Sequence, residues 1–240
     1  MTRLREVIYP GSAGLPEIRS CWAPAGPERG PAMLILRGVA GPMDGYVRIA
    51  ETVNGWGFHA LVHNWQVRGN DPPKDEEVLG DLRQAFEFLE SQPEVDSVRI
   101  GLMGFCKGGT FAFFAAQQRP SLIGVALFHG FCRRKPSESH LLQPYQLVGE
   151  MRAPIFFMHG TADSQAPIES MRTLVASLKE HGVDAALHEY PGVDHGFAVT
   201  THPGFEPNAA RDSMRRAEAF FASLIPGRSP PRRQSGTTTL

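Results

Sequence analysis

Apolar positions in this chain fall into two rhythms that take turns. Ala32-Met33-Leu34-Ile35-Leu36 is a continuous apolar run, the pattern of a parallel strand covered on both faces. The next strands are expected at Phe58–His63, Val98–Met103, Leu122–Phe128, Pro154–His159 and Asp184–Tyr190. Between them the spacing lengthens to the helical period. Val78, Leu82, Phe86 and Leu89 mark one face of a helix over Glu76–Ser91. Further helices are expected at Gly45–Asn54, Lys107–Gln118, Ile168–His181 and Asn208–Ile225. Ahead of this series, Glu6–Tyr9 and Glu17–Trp22 flank Pro10-Gly11-Ser12-Ala13-Gly14, which reads as a hairpin. Strand and helix in alternation predict an α/β fold, a mostly parallel central sheet with helices on both faces. No internal repeat competes with that reading. Residues 1–225 read as one domain, and Pro226–Leu240, almost without apolar residues, as a disordered tail.

Composition narrows the chemistry. The 240 residues carry 24 basic and 25 acidic side chains, so no long-range field draws the chain to nucleic acid. No apolar run approaches the roughly 20 residues of a membrane span. The N-terminal Met-Thr-Arg-Leu-Arg-Glu lacks the apolar segment of a secretion signal, so a cytoplasmic location is expected. Three cysteines, Cys21, Cys106 and Cys132, are too few and too irregular for a disulfide framework or a zinc site. Neither a metal nor a cofactor is expected.

One hexamer carries the chemistry. Gly104-Phe-Cys-Lys-Gly-Gly109 follows the Val98–Met103 strand, and strand followed by Gly-x-Cys-x-Gly is the pattern of a nucleophile elbow. The turn is tight, so the residues flanking the nucleophile must lack a Cβ. Cys106 would stand at the N-terminus of the next helix, which favours an anion there. A thiol nucleophile needs a base, and the base an orienting acid, both on loops after later strands. Asp163 follows Ile155–His159, and His195 lies in Pro191-Gly-Val-Asp-His-Gly-Phe197. Asp184 opens a strand at the wrong end, and Asp194 adjoins His195 too closely to orient it. Oxyanion donors are expected from the backbone N–H groups of Lys107 and Val39. Arg133-Arg134-Lys135 is read as a solvated loop, with anion binding as the rarer alternative. His59, His63 and His129 are read as structural or pocket-wall residues.

The Gly-x-Cys-x-Gly elbow, Asp163 and the His-Gly-Phe loop together resemble the dienelactone hydrolase (carboxymethylenebutenolidase) family of the α/β-hydrolase superfamily. The resemblance spans roughly residues 5–225. It implies a single α/β-hydrolase domain, monomeric or homodimeric, that opens a lactone ester through an acyl-enzyme. It also implies Cys106, Asp163 and His195 as the triad. The chain departs from the family in the pocket. Arg37-Gly38 stands where the family has a Gln-Glu pair, and Val199 where it has an arginine four residues after the histidine. Arg68 is the one arginine near the place of the family's other substrate clamp. A small neutral ester, lactone or thioester is therefore the expected substrate, against Gly38, Trp65, Arg68, Phe131 and Phe197. A tailoring cyclase, acyltransferase or thioesterase on the same fold is the alternative, and a binding protein without catalysis a third.

Overall fold

The computed structural model describes residues 4–12, 14–68, 74–130 and 143–227. Phe131, Cys132, the Arg133-Arg134-Lys135 cluster and the expected tail beyond 227 lie outside the described residues. Among the described residues eight strands form one sheet: β1 (Arg5–Tyr9), β2 (Ile18–Ala23), β3 (Gly30–Leu36), β4 (His59–His63), β5 (Val95–Phe105), β6 (Val125–Phe128), β7 (Ile155–Gly160) and β8 (Ala185–Tyr190). Their order across the sheet is β1-β2-β4-β3-β5-β6-β7-β8. The expected hairpin is β1 against β2, with Arg5 opposite Trp22, and β2 continues antiparallel to β4. From β4 to β8 every pairing is parallel.

Among the described residues four α-helices lie in the crossovers, α1 (Asp44–Gly55), α2 (Asp75–Ser91), α3 (Lys107–Gln118) and α4 (Ile168–Glu180), and a fifth, α5 (Pro207–Ser223), follows the last strand. The all-apolar strands divide by parity between two cores. Ala32, Leu34, Ile100 and Leu102 face the layer of α2, α3 and α4. Met33, Ile35, Met103 and Phe105 face α1 and α5. A residue on such a strand is buried whichever way it points, so the sequence shows no alternation there. Gly101 is small because α5 crosses closely: a Cβ there would lie 2.9 Å from the Phe221 ring. Among the described residues no helix is long and apolar enough to cross a membrane.

Two boundaries differ by three residues from the sequence reading, the others by two at most. β5 starts at Val95 and runs three residues before the expected Val98, because Val95 pairs back to Gly30 beside a register shift. β6 starts at Val125 rather than Leu122, since Pro120–Gly124 is spent turning out of α3.

Candidate active site

The C-terminal ends of β3, β5, β6 and β7 converge on Cys106. β5 ends at Phe105 and α3 begins at Lys107, which leaves one residue to reverse the chain. That residue takes φ +53° and ψ −126°, a region costing an L-residue on the order of 1–3 kcal/mol. Two backbone bonds hold it there: Cys106 N–H donates to Phe128 O (3.0 Å), and Gly109 N–H donates to Cys106 O (2.9 Å). The two flanking glycines are sterically required. A Cβ on Gly104 would lie 2.6 Å from Gly109 Cα, and one on Gly108 would run into the Arg37 carbonyl oxygen and lie 2.6 Å from that of Leu36.

Asp163 and His195 come from the loops after β7 and β8. His195 Nδ1 lies 2.8 Å from Asp163 Oδ2, with both side chains buried. The Asp163 carboxylate is fixed at its other oxygen too, where Oδ1 accepts the N–H groups of Gln165 (2.9 Å) and Ala166 (2.8 Å). Nδ1 being engaged, Nε2 is the nitrogen left for the Cys106 thiol. Burial alone would push the His195 ring toward neutrality. Its hydrogen bonds to Asp163 and Cys106, with the charge of each, outweigh burial and hold the ring at about 9. Asp194 serves elsewhere: Oδ1 accepts from Ser164 N–H (2.9 Å) and His195 N–H (2.7 Å), tying the loops after β7 and β8 together.

Two further histidines join this cluster: His159, which sequence reasoning missed, and His129, which it read as a structural or pocket-wall residue. His159, the penultimate residue of β7, places Nε2 2.7 Å from Ala166 O and 3.3 Å from Asp163 Oδ2. Burial lowers its pKa, so a neutral Nε2–H serves as donor to both. His129 packs edge-on against His195 with centroids 4.7 Å apart. It takes φ +40°, and its ring, fully enclosed, is held well below the ordinary histidine pKa by burial and by the neighbouring histidines. Periodicity gives no signal for either, because both sit at strand ends where every residue is buried.

The expected pocket residues separate. Gly38 lies directly against Cys106: a Cβ there would be 2.9 Å from Cys106 Cβ and 2.9 Å from the Tyr46 hydroxyl. Trp65 backs the site, its Nε1–H donating to Arg37 O (2.7 Å) and the Lys107 ammonium lying over its ring. Phe197 is fully buried beneath the histidines, packed on His129 and Tyr190. Arg68 turns away from the position expected of it. Its guanidinium grips Asp81 in a two-pronged pair at 2.5 and 2.6 Å, and Nη1 donates to Pro16 O (2.8 Å). These partners occupy the fork that would otherwise meet a substrate carboxylate. Val199 is a core residue under Gly45. Among the described residues no group of three or more His, Cys, Asp or Glu could hold a metal ion.

A parallel sheet with a strained nucleophile turn after its central strand, and an acid and a histidine on later loops, defines the α/β-hydrolase fold. Within that fold the chain belongs to the dienelactone hydrolase family, whose model matches residues 20–225. It is 22% identical over 233 residues to the "Putative carboxymethylenebutenolidase" of Methylorubrum extorquens, covering 90% of this chain and 79% of that protein. It matches other curated relatives of the same name over 63% and 54% of their length. Among solved structures, a "Putative Dienelactone Hydrolase" from Klebsiella pneumoniae superposes with a TM-score of 0.81 at 20% identity, over 92% of this chain and 99% of that one. The apo form of Thermogutta terrifontis esterase 2 gives 0.77 at 18%, over 95% and 96%.

Proposed function

We propose that this protein is a cysteine-dependent hydrolase of a small, uncharged ester or lactone, working through an acyl-enzyme on Cys106. The observation that carries the reading is the buried His195 Nδ1–Asp163 Oδ2 contact at 2.8 Å on the loops that follow β7 and β8, together with the strained turn at Cys106.

The thiol proton passes to His195 Nε2, and the thiolate adds to the carbonyl carbon of the ester. The oxyanion so formed is met by the N–H groups of Val39 and Lys107. Lys107 opens α3, where the first N–H groups of a helix have no partner within the helix. Collapse of the tetrahedral species breaks the carbon–oxygen bond, and His195 returns its proton to the departing alkoxide. In a lactone that alkoxide stays tethered to the acyl group. Water then gives a proton to His195 and adds to the thioester carbon. The second collapse releases the carboxylic acid, and the thiolate recovers its proton. Asp163 holds the imidazole in the tautomer that presents Nε2 to the sulfur and stabilises the imidazolium. The neutral substrate class is supported by Arg68 being occupied with Asp81 and by the apolar Val199.

Incubation with an activated neutral ester such as p-nitrophenyl acetate tests this. Intact mass is expected to rise by one acetyl group, located to Cys106 by peptide mapping, and Cys106→Ala to lose both adduct and turnover. Full esterase activity in Cys106→Ala would refute the reading.

A further inference from the structure

The segment 38–41 leaves β3 for α1 and carries the expected oxyanion donor Val39. It has no regular secondary structure of its own, yet its backbone is held at every peptide by a side chain. Arg37 O accepts from Trp65 Nε1 (2.7 Å). Gly38 O accepts from Arg37 Nε (3.2 Å), and Gly41 O from Arg37 Nη2 (2.6 Å). Val39 O accepts from Gln66 Nε2 (2.9 Å). Tyr46 Oη accepts the Gly38 N–H (2.9 Å) and donates to Ala40 O (3.4 Å). Five successive carbonyls are thus occupied, by four side chains.

In a planar trans peptide the C=O and the following N–H point in opposite directions. Arg37 Nε on Gly38 O therefore fixes the direction of the Val39 N–H, which has no acceptor among the described residues. The peptide before it is pinned on both sides, by Trp65 and by Tyr46. Rotating the 38–39 peptide would break the Arg37 bond and strain its neighbours on either side. Arg37 itself is a buried cation with no carboxylate partner among the described residues, and three oxygens take its hydrogen bonds: Gly38 O, Gly41 O and Asn64 Oδ1 (3.4 Å). A buried guanidinium is costly unless it is doing such work. Gly38 is part of the same construction, because a Cβ there would strike the Tyr46 hydroxyl as well as Cys106.

We propose that Arg37, Tyr46 and Gln66 are positioning residues that preset the oxyanion loop, aiming the Val39 N–H before substrate arrives. The proposal rests on the acyl-transfer reading above, and its test separates the two. Acylation of Cys106 by p-nitrophenyl acetate develops an oxyanion. Alkylation of the same sulfur by iodoacetamide develops none at a carbonyl, so it reports the thiol and His195 without the loop.

Tyr46→Phe, which keeps the ring on Phe105, and Gln66→Ala, at a half-buried site, alter no charge. Each is expected to slow acylation by about 5–20-fold at unchanged KM, with alkylation within twofold of the parent. Arg37→Met, which releases two carbonyls, is expected to slow acylation by about 100-fold, within the range for loss of a whole oxyanion donor. Acylation within twofold of the parent in Tyr46→Phe and Arg37→Met would overturn the proposal. So would alkylation falling in step with acylation in Tyr46→Phe and Gln66→Ala. A parent protein that takes no acyl group on Cys106 would overturn the functional reading itself, which is a result seen before any variant is made.

Discussion

Arg68 provides the sharpest contrast between a substrate contact and a structural one. Replacing it with alanine removes both prongs of its pair with Asp81, whose side chain is 0% exposed against 3% for Arg68. Among the described residues the stranded carboxylate would keep a single donor, Ser12 N–H at 2.8 Å. Breaking a buried pair from one side costs about 3–5 kcal/mol, because the remaining charge is left desolvated. In a domain of this size about 1 kcal/mol moves the midpoint by 2–4 °C, so thermal unfolding should fall by roughly 6–20 °C. The double variant Arg68→Met/Asp81→Leu removes both charges and should regain most of that loss. Urea unfolding followed by circular dichroism measures all three proteins. The activity of the folded fraction, per titrated thiol, should stay within twofold for a neutral ester and for one bearing a carboxylate. If Arg68→Ala costs under about 1 kcal/mol, or selectively loses tenfold on the anionic ester, the structural assignment is wrong and Arg68 reaches the substrate.

Further expectations follow from the same geometry. Asp163→Asn should lower kcat/KM about 10³-fold by freeing the wrong imidazole tautomer, and a loss under tenfold would remove Asp163 from the triad. Gly108→Ala should cost at least about 1–3 kcal/mol and most of the activity, since its Cβ meets the backbone of β3. Gly26→Ala, where a Cβ meets nothing within 4 Å, is the control, and equal behaviour of the two would refute the packing argument. The ring of His195 is held at about 9 in the folded chain, above its ordinary 6.5. Folding therefore tightens proton binding, and the stability gained is complete below pH 6.5 and lost as pH rises through about 9. The stability difference between the parent and His195→Gln should shrink over that interval, as read by urea unfolding, and a constant difference would contradict it. His63 is pulled the other way, to about 4, mainly by burial, so its contribution is present above pH 6.5 and fades as pH falls toward 4. With Arg68 gone, the uncompensated Asp81 charge should lift His63 and narrow that window.

The linear chain determined the elements and the order in which the candidate site residues follow the strands. Continuous apolar runs and helical spacing are local consequences of burial, so the strands and helices were readable to within a few residues, α3 over Lys107–Gln118 among them. The elbow was legible because its steric demand falls on two neighbouring glycines. Asp163 and His195 were legible because loops after later parallel strands must return to one edge of the sheet.

What only the tertiary structure decided depends on approach across the sequence. Arg68 lies near the expected pocket in the chain, but Asp81, thirteen residues on, is buried beside it and takes its charge. His129 and His159 sit at the ends of strands buried on both faces, where periodicity carries no information, and become neighbours of His195 and Asp163 only when β6 and β7 pair. The loop after β3 gives no pattern at all, since its carbonyls are held by side chains from α1, the turn after β4 and the end of β3 itself. The tight turn that carries Cys106 is a local property of the sequence. The hydrogen bonds that hold the loop after β3 join distant residues, and those exist only once the sheet has closed.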